Sequence, residues 1–274
     1  MSRMTDARPW HSVFPGYGMR NNHVREKLGQ GRPAIGSFLG LGSPMVAELM
    51  AHCGFDFIVI ETEHNAIDMA QVQQMLMAMN GTDAIPLVRL PSSDPVFIQR
   101  SLDIGALGIV VPLLRSAEQA QAVVRATRYP PDGVRGFGPL RASHYTLDYP
   151  DYLTRANDNI LVSFLLETRE AMENLEEITA VPGVDALYLG LWDLYLNHGA
   201  NPLEMPDPAM DRLIDRAIEV CGDSDVALGI GSTTPQEVLH WRGRGLTFLG
   251  YGPDYSLLGS AAQAGISAFR DGGT

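Results

Sequence analysis

Short apolar runs rich in β-branched residues alternate along the chain with longer amphipathic segments. Such runs are typical of parallel strands buried on both faces, and the amphipathic segments are typical of the helices that cover them. Several of these segments open on Ser, Asp or Thr, which are favourable helix N-caps. The runs predict eight strands, at residues 34–39, 55–61, 85–90, 108–113, 160–167, 186–191, 227–232 and 247–252.

Eight strand–helix pairs in series predict an α/β protein with a (β/α)8 TIM barrel, and a chain of 274 residues suits one such domain. A doubly wound open sheet is the alternative. It is disfavoured because no GxGxxG fingerprint follows the first strand. The segment 129–158 is rich in Pro, Gly, Arg and Tyr, and it predicts a long functional loop.

The net charge of −12 argues against a nucleic-acid partner, because such proteins usually carry a basic face. No apolar run is long enough to span a membrane, and the first residues lack the apolar core of a signal peptide. The two cysteines, Cys53 and Cys221, lie in apolar or small-residue settings that predict buried thiols rather than a disulfide. We therefore expect a cytoplasmic protein without a membrane partner.

Lysine is nearly absent from this chain. Of 20 basic residues only Lys27 is a lysine, and it precedes the first predicted strand. Schiff-base enzymes, pyridoxal phosphate enzymes and Walker-type phosphate loops all require a suitably placed lysine. These classes are therefore disfavoured.

Polar side chains follow several of the predicted strands, where the active site of a barrel lies. Glu167 and Asp193 follow neighbouring strands, and oxygen ligands of this kind suit Mg²⁺ or Mn²⁺, although each carboxylate could instead cap a helix. Glu61, Glu63 and His64 follow the second strand, where a neighbouring carboxylate could orient the imidazole for proton transfer, although a lone histidine could instead be structural. Arg89 ends the third strand and could stabilise an enolate or a carboxylate.

Four stretches of the chain resemble the HpcH/HpaI family of class II, metal-dependent pyruvate aldolases. They are FDFIVIETEH, PLVRL, the run from Gly105 to Pro139 that contains RYPPDGVRGFGP, and ETREAMENLEEITAVPGVDALYLG. The similarity runs from about residue 22 to the C-terminus. It therefore divides the chain into an N-terminal extension, 1–21, and one barrel domain, 22–274.

The resemblance implies a barrel whose last helix is exchanged with a neighbouring subunit, in a homohexamer built as a trimer of dimers. It implies a divalent metal at Glu167 and Asp193, with Mg²⁺ or Mn²⁺ favoured and Co²⁺ also possible. It further implies catalytic roles for His64, Arg89 and Glu61. Family members cleave or form 4-hydroxy-2-oxo acids, so the expected partners are a small 2-oxo acid, with pyruvate as the nucleophilic half, and an aldehyde.

Several positions depart from the family pattern. Glu61 stands where the family usually has Asp, and Leu165 replaces a Gln. In the turn that carries the second metal ligand, Leu191, Trp192 and Tyr195 replace Pro, Ala and Ser. These changes predict a reshaped substrate pocket, lined in part by Gly190, Leu191 and Trp192. Two other functions remain open: metal-dependent decarboxylation of oxaloacetate with carbon–carbon bond formation, and a non-catalytic relative that binds a small acid.

Overall fold

Eight parallel strands close into a barrel in chain order, in a computed structural model that describes residues 18–271. The closing pair joins β1 to β8, with Ala34 in register with Phe248. This confirms the (β/α)8 architecture, and each predicted strand overlaps an observed one to within two residues at either end. The strands are β1 Ala34–Leu39, β2 Phe57–Glu61, β3 Ile85–Arg89, β4 Gly108–Val111, β5 Leu161–Leu166, β6 Ala186–Leu189, β7 Ala227–Ser232 and β8 Phe248–Tyr251.

Helices cover the outside of the barrel, and most begin at a side chain that accepts a backbone N–H of the first turn. Asp68 forms a capping box with Gln71, and Thr234 forms another with Glu237. The helices are α1 His23–Gly29, α2 Pro44–His52, α3 Met69–Ala78, α4 Pro95–Asp103, α5 Ala117–Thr127, α6 Tyr149–Asn159, α7 Arg169–Glu173, α8 Leu175–Thr179, α9 Leu191–Asn197, α10 Pro208–Gly222, α11 Pro235–Gly243 and α12 Asp254–Asp271.

Large rings and glycines complement one another inside the barrel. The ring of Tyr188 on β6 lies 5.5 Å from that of Phe38 and 5.7 Å from that of Phe248, measured between centroids. A Cβ at Gly250 would overlap the Tyr188 hydroxyl, and one at Gly231 would come within 3.2 Å of it. Glycine on β7 and β8 therefore makes room for the tyrosine that fills this part of the interior.

The amino end of the barrel is closed by the start of the described chain. The Asn22 side chain donates to the carbonyl of Leu107, and its backbone N–H donates to Asn159 at the end of α6. Lys27 on α1 pairs with Asp56, which directly precedes β2. The single lysine therefore lies at the end of the barrel opposite the carboxyl ends of the strands.

Two expectations from the sequence were wrong. The segment 129–158 is not loop throughout, because α6 occupies its last third and buries Tyr152 and Ala156 against the barrel. Cys53 is exposed at the end of α2 rather than buried, whereas Cys221 is buried as expected, and both thiols are free. Of the predicted extension 1–21, residues 1–17 lie outside the described residues.

Helix α12 packs differently from the other helices. Among its eighteen residues only Asp254, at its first position, is buried. The Asp254 carboxylate accepts the backbone N–H groups of Gly40, Leu41 and Tyr255, so the root of the helix is tied to the loop after β1. Ser256 and Leu257 are half-buried, and the helix is exposed from Leu258 onward, including Ile266 and Phe269. No helix in residues 18–271 combines the length and the apolar character needed to cross a membrane.

Candidate active site

The predicted site residues meet at the carboxyl ends of the strands. Glu61 ends β2 and is in register with Arg89 at the end of β3. Glu167 directly follows β5, and Asp193 lies in the first turn of α9, which begins one residue after Gly190. Parallel strands place these ends on one rim, which is why residues distant in sequence come together.

Arg89 organises one side of this rim. Its Nη1 lies 2.9 Å from Glu61 Oε2, and its Nη2 lies 2.5 Å from Glu63 Oε2 and 3.8 Å from Glu167 Oε2. The guanidinium is largely shielded from solvent, so these charge-assisted contacts fix its orientation. Its buried Nε has no hydrogen-bond partner among the described residues and is available to a ligand oxygen.

The histidine is held differently from what the sequence predicted. Glu61 Oε1 accepts the backbone N–H groups of Glu63 and His64, at 2.7 and 3.2 Å, and so shapes the turn after β2. The His64 ring lies beside Glu63, with Nε2 3.5 Å from Glu63 Oε2 and 3.4 Å from Arg89 Nη2. The orienting role expected of Glu61 toward the imidazole is taken by Glu63 in this arrangement. The ring is 61% exposed and therefore open to a substrate.

Glu167 is the most buried acid of the rim, with 1% of its surface exposed. Its Oε1 accepts the backbone N–H of Leu113 at 2.7 Å, while its buried Oε2 has no hydrogen-bond partner in the described chain. Leu113 has a φ of +56°, which is uncommon for a side chain with a Cβ, and this backbone position delivers the N–H. A Cβ at Gly190 would lie 2.9 Å from Glu167 Oε2, so glycine leaves that oxygen accessible.

Two acids of the rim, Glu63 and Glu167, have pKa values raised by burial and by neighbouring acids. Burial is the main cause of the raised pKa of Glu167, with further increases from Glu63 and Asp193 that the Leu113 N–H and Arg89 oppose. Burial also raises the pKa of Glu63, and Glu61 and Asp193 add to the effect. Such mutual destabilisation of charge is typical of functional sites, and a cation relieves it.

The residues present fit a hard divalent cation. Glu167 offers a buried carboxylate oxygen without a partner, Gly190 keeps the space before it open, and Asp193 is near enough to perturb its pKa. All donors are oxygens, as Mg²⁺ and Mn²⁺ prefer. Within residues 18–271, no group of three or more His, Cys, Asp or Glu side chains is arranged around a metal position. Two carboxylates would leave the other coordination positions to water and substrate.

A cavity of about 360 Å³ opens beside these acids. Glu61, Arg89 and Asp193 are its charged lining residues, and Gly190, Leu191 and Trp192 line it beside Asp193. The opposite wall comes from the ends of β1, β7 and β8 and from the start of α12, with the following residues: Phe38, Gly40, Gly231, Ser232, Thr233, Gly250, Tyr251, Gly252, Pro253 and Tyr255. The three pocket residues expected from the sequence therefore do line the cavity.

Three contributors were missed by sequence reasoning. Glu63 was recognised as an acid that could orient His64, but its contact with Arg89 was not anticipated. The Leu113 N–H carries no side-chain chemistry and left no signal in the sequence. Tyr188 reads as an ordinary apolar strand residue, yet its hydroxyl lies under the cavity without a partner in the described chain. Alternation along β6 could have placed Tyr188 on the same face as Gly190.

The fold and the rim together define a (β/α)8 barrel enzyme whose site combines acids, an arginine and a histidine at the carboxyl ends of the strands. Residues 34–260 match the HpcH/HpaI aldolase/citrate lyase family, and the chain belongs to that family. It is accordingly an enzyme of the aldolase type, a carbon–carbon lyase. The resemblance noted in the sequence is confirmed.

Named relatives agree with this assignment. A 4-hydroxy-2-oxo-heptane-1,7-dioate aldolase of Klebsiella pneumoniae is 39% identical over 258 residues, covering 93% of this chain and 96% of the relative. A hydroxypyruvate/pyruvate aldolase of Deinococcus radiodurans is 38% identical over 253 residues, covering 92% and 91%. The crystal structure of a family protein from Burkholderia cenocepacia superimposes with a TM-score of 0.87 at 30% identity, covering 91% of this chain and 99% of that one.

Proposed function

We propose that this aldolase cleaves or forms 4-hydroxy-2-oxo acids, with pyruvate as the nucleophilic half. The observation that carries the proposal is the position of Glu167 Oε2, which has no hydrogen-bond partner in the described chain and lies 3.8 Å from Nη2 of Arg89, a residue that lines the cavity. A guanidinium beside a carboxylate that is free to hold a cation suits a 2-oxo acid, whose carboxylate and keto oxygens both need positive partners.

Glu167 and Asp193 would hold the divalent cation, for which we propose Mg²⁺ or Mn²⁺, with Co²⁺ as a further fit to the same donors. When bound, the cation supplies Lewis acidity to a substrate carbonyl. Burial of Glu167, and the Leu113 N–H that fixes its Oε1, would keep that carboxylate in one orientation for its ligand.

Arg89 would stabilise the negative oxygen of the pyruvate enolate through Nε, the one guanidinium nitrogen left without a partner in the described chain. In the cleavage direction a base removes the proton of the 4-hydroxyl, the bond between C3 and C4 breaks, and its electron pair stays on the pyruvate half. His64 would accept that proton, because its exposed ring is held between Glu63 and Arg89. Glu61 would hold the His64 backbone and Arg89 in place.

The test is exchange of the pyruvate methyl protons in D₂O, followed by NMR with Mg²⁺, with Mn²⁺ and with EDTA. We expect metal-dependent deuteration that is abolished in Asp193→Asn and retained in Asp223→Asn, a control acid that is exposed after α10. Exchange that is absent, or that persists in EDTA and in Asp193→Asn, would contradict the proposal. Faster loss of CO₂ from oxaloacetate than cleavage of hydroxy-oxo acids would favour the decarboxylase alternative.

We further propose that α12 packs on another copy of the chain in a homohexamer, with small molecules rather than nucleic acid or membrane as partners, in the cytoplasm. Support comes from the exposed apolar residues Leu258, Ile266 and Phe269 on a helix buried only at Asp254. The two free thiols suit a reducing compartment. Light scattering should give a hexamer for the native chain and a smaller species for Phe269→Glu. A native monomer would contradict the assembly.

A further inference from the structure

The active-site cavity combines a charged lining with an apolar one. Two acids of the rim, Glu61 and Asp193, line it together with Arg89, and Ser232 and Thr233 add hydroxyl groups. The apolar lining consists of the following side chains: Phe38, Leu191, Trp192, Tyr251, Pro253 and Tyr255. A 2-oxo acid needs the charged residues for its carboxylate and keto group, so the rest of the substrate must contact the remaining lining.

The positive charge of the cavity lining is already paired with acids of the rim. Arg89 is the one Lys or Arg side chain among the described residues that line the cavity. Its Nη1 faces Glu61 at 2.9 Å and its Nη2 faces Glu63 at 2.5 Å. Arg89 therefore cannot also serve a second carboxylate at the far end of a substrate.

The field of the cavity also opposes a second negative charge. Glu61, Glu63 and Glu167 face Arg89 at 2.9, 2.5 and 3.8 Å, Asp193 lines the same cavity, and the whole chain carries a net charge of −12. A divalent cation would leave this group negative before the pyruvate carboxylate arrives. A further carboxylate would lose part of its hydration on binding, and no unpaired cation among the described lining residues would offset that free-energy cost.

The apolar lining residues offer contact area to an uncharged group. Trp192 occupies the first turn of α9, one residue from Asp193, and stays 59% exposed although it lines the cavity. A large exposed ring at the mouth of a site offers apolar area to whatever enters. Tyr255 offers similar area from the root of α12 and is 54% exposed.

We infer that the aldehyde half of the substrate is uncharged and apolar, with an alkyl or aryl chain that packs on Trp192. This inference rests on the proposed pyruvate chemistry and specifies the electrophile that this chemistry takes. The enolate carbon of pyruvate forms the new bond to the aldehyde carbon, and the aldehyde oxygen takes up the electron pair and a proton. The relatives named for a 1,7-dioate act on a product with two carboxylates, so this chain differs from them in its electrophile.

The test compares two aldehydes of nearly equal shape with pyruvate as the common nucleophile. Succinic semialdehyde ends in a carboxylate, and 4-methylpentanal ends in an uncharged branched group of similar size. We expect kcat/KM for 4-methylpentanal to exceed that for succinic semialdehyde by about tenfold or more, a ratio within reach of one apolar pocket. An equal or reversed ratio would overturn the inference.

Variants connect the preference to the tryptophan. Trp192→Ala should lower the ratio of the two kcat/KM values severalfold, while Leu196→Ala, on an exposed position of the same helix outside the cavity lining, should leave it unchanged. An unchanged ratio in Trp192→Ala would overturn the role of the ring. Exchange of the pyruvate methyl protons, measured without aldehyde, tests the proposed function separately from the inference about the aldehyde. Its absence in the native protein overturns the proposed function and this inference together, and its presence with a preference for succinic semialdehyde overturns this inference alone.

Discussion

Replacement of Glu167 by Gln should make the metal-free protein more stable and the metal-loaded protein less stable than the native one. The amide keeps an oxygen that can accept the Leu113 N–H at the position of Oε1, and it removes the charge of the unpartnered Oε2. That charge is disfavoured by burial and by Glu63 and Asp193, as the raised pKa of Glu167 indicates. The substitution therefore relieves electrostatic strain and leaves the packing nearly unchanged.

The magnitude follows from the cost of an unsatisfied buried group, about 1–3 kcal/mol. For a domain of this size each kcal/mol corresponds to roughly 2–4 °C in Tm, so the increase in EDTA should be about 2–12 °C. Cation at about one thousand times its Kd adds about 4.1 kcal/mol to a protein that binds it in the native state alone, which exceeds the whole range of that difference. Only native Glu167 should show this gain, so the order of the two Tm values should invert on addition of Mn²⁺.

The stability gain of Glu167→Gln in EDTA should also depend on pH. The pKa of Glu167 is raised above its ordinary value of 4.5, so the folded state holds the proton more tightly than the unfolded chain. The destabilising charge is fully present above the raised pKa, and it is lost as the pH falls through that value. The advantage of Glu167→Gln in EDTA should therefore be largest near neutral pH and should close on acidification toward 4.5.

The assay is thermal unfolding followed by circular dichroism in EDTA and in Mn²⁺, across a pH series. Glu173→Gln is the matched control, because Glu173 is an exposed glutamate at the end of α7, in the same part of the chain. We expect it to behave as the native protein under every condition. If Glu167→Gln gains no stability in EDTA, the carboxylate is not strained. If Mn²⁺ raises its Tm as much as that of the native protein, Glu167 is not a ligand.

Three further changes test other parts of the site. Gly190→Ala places a Cβ 2.9 Å from Glu167 Oε2 and should weaken Mn²⁺ affinity about tenfold or more, measured by calorimetry. The control Gly222→Ala, whose new Cβ would meet no further atom of the described chain within 4 Å, should leave the affinity unchanged. Equal affinities for the two variants would show that the cation does not use the space before Glu167. Tyr188→Phe removes a buried hydroxyl that has no partner in the described chain and should raise the free energy of unfolding by about 1 kcal/mol in urea, and a decrease would mean that an ordered water binds there. Lys27→Ala should leave the exchange of the pyruvate methyl protons unchanged, because Lys27 pairs with Asp56 at the far end of the barrel. For the same reason, borohydride added with pyruvate should not inactivate the native protein. Covalent trapping of pyruvate by borohydride would contradict the metal-dependent enolate route.

The strands of this barrel could be predicted from the sequence because each is buried on both faces and so reads as a continuous apolar run. Helix α6 could not, because YPDYLTRANDN is mostly polar and buries only Tyr152 and Ala156. Its N-cap residue, Asp148, makes no side-chain hydrogen bond to the first turn, so the usual capping interaction does not mark the start of this helix. A mostly polar stretch within a segment rich in Pro and Gly favours a loop prediction.

The candidate site was predictable to the extent that it follows from strand ends. Glu61, Arg89 and Glu167 close apolar runs, and parallel topology brings such positions to one rim. The contacts among them were not predictable, because they depend on the stagger of neighbouring strands and on side-chain reach. Glu63, two residues after Glu61, contacts the His64 ring, and the backbone of Leu113 reaches Glu167 only through a positive φ.

The pairing of Tyr188 with Gly231 and Gly250 bears on how this barrel could acquire new substrates. The ring forms the floor under the cavity, and the two glycines on β7 and β8 supply the space that it occupies. Exchanging large and small side chains among these three positions would move the floor while the total interior volume stayed constant, a kind of change that protein cores tolerate well. Cavity depth can therefore evolve separately from the acids of the rim, so one chemistry could be passed to substrates of different length by a few compensating substitutions.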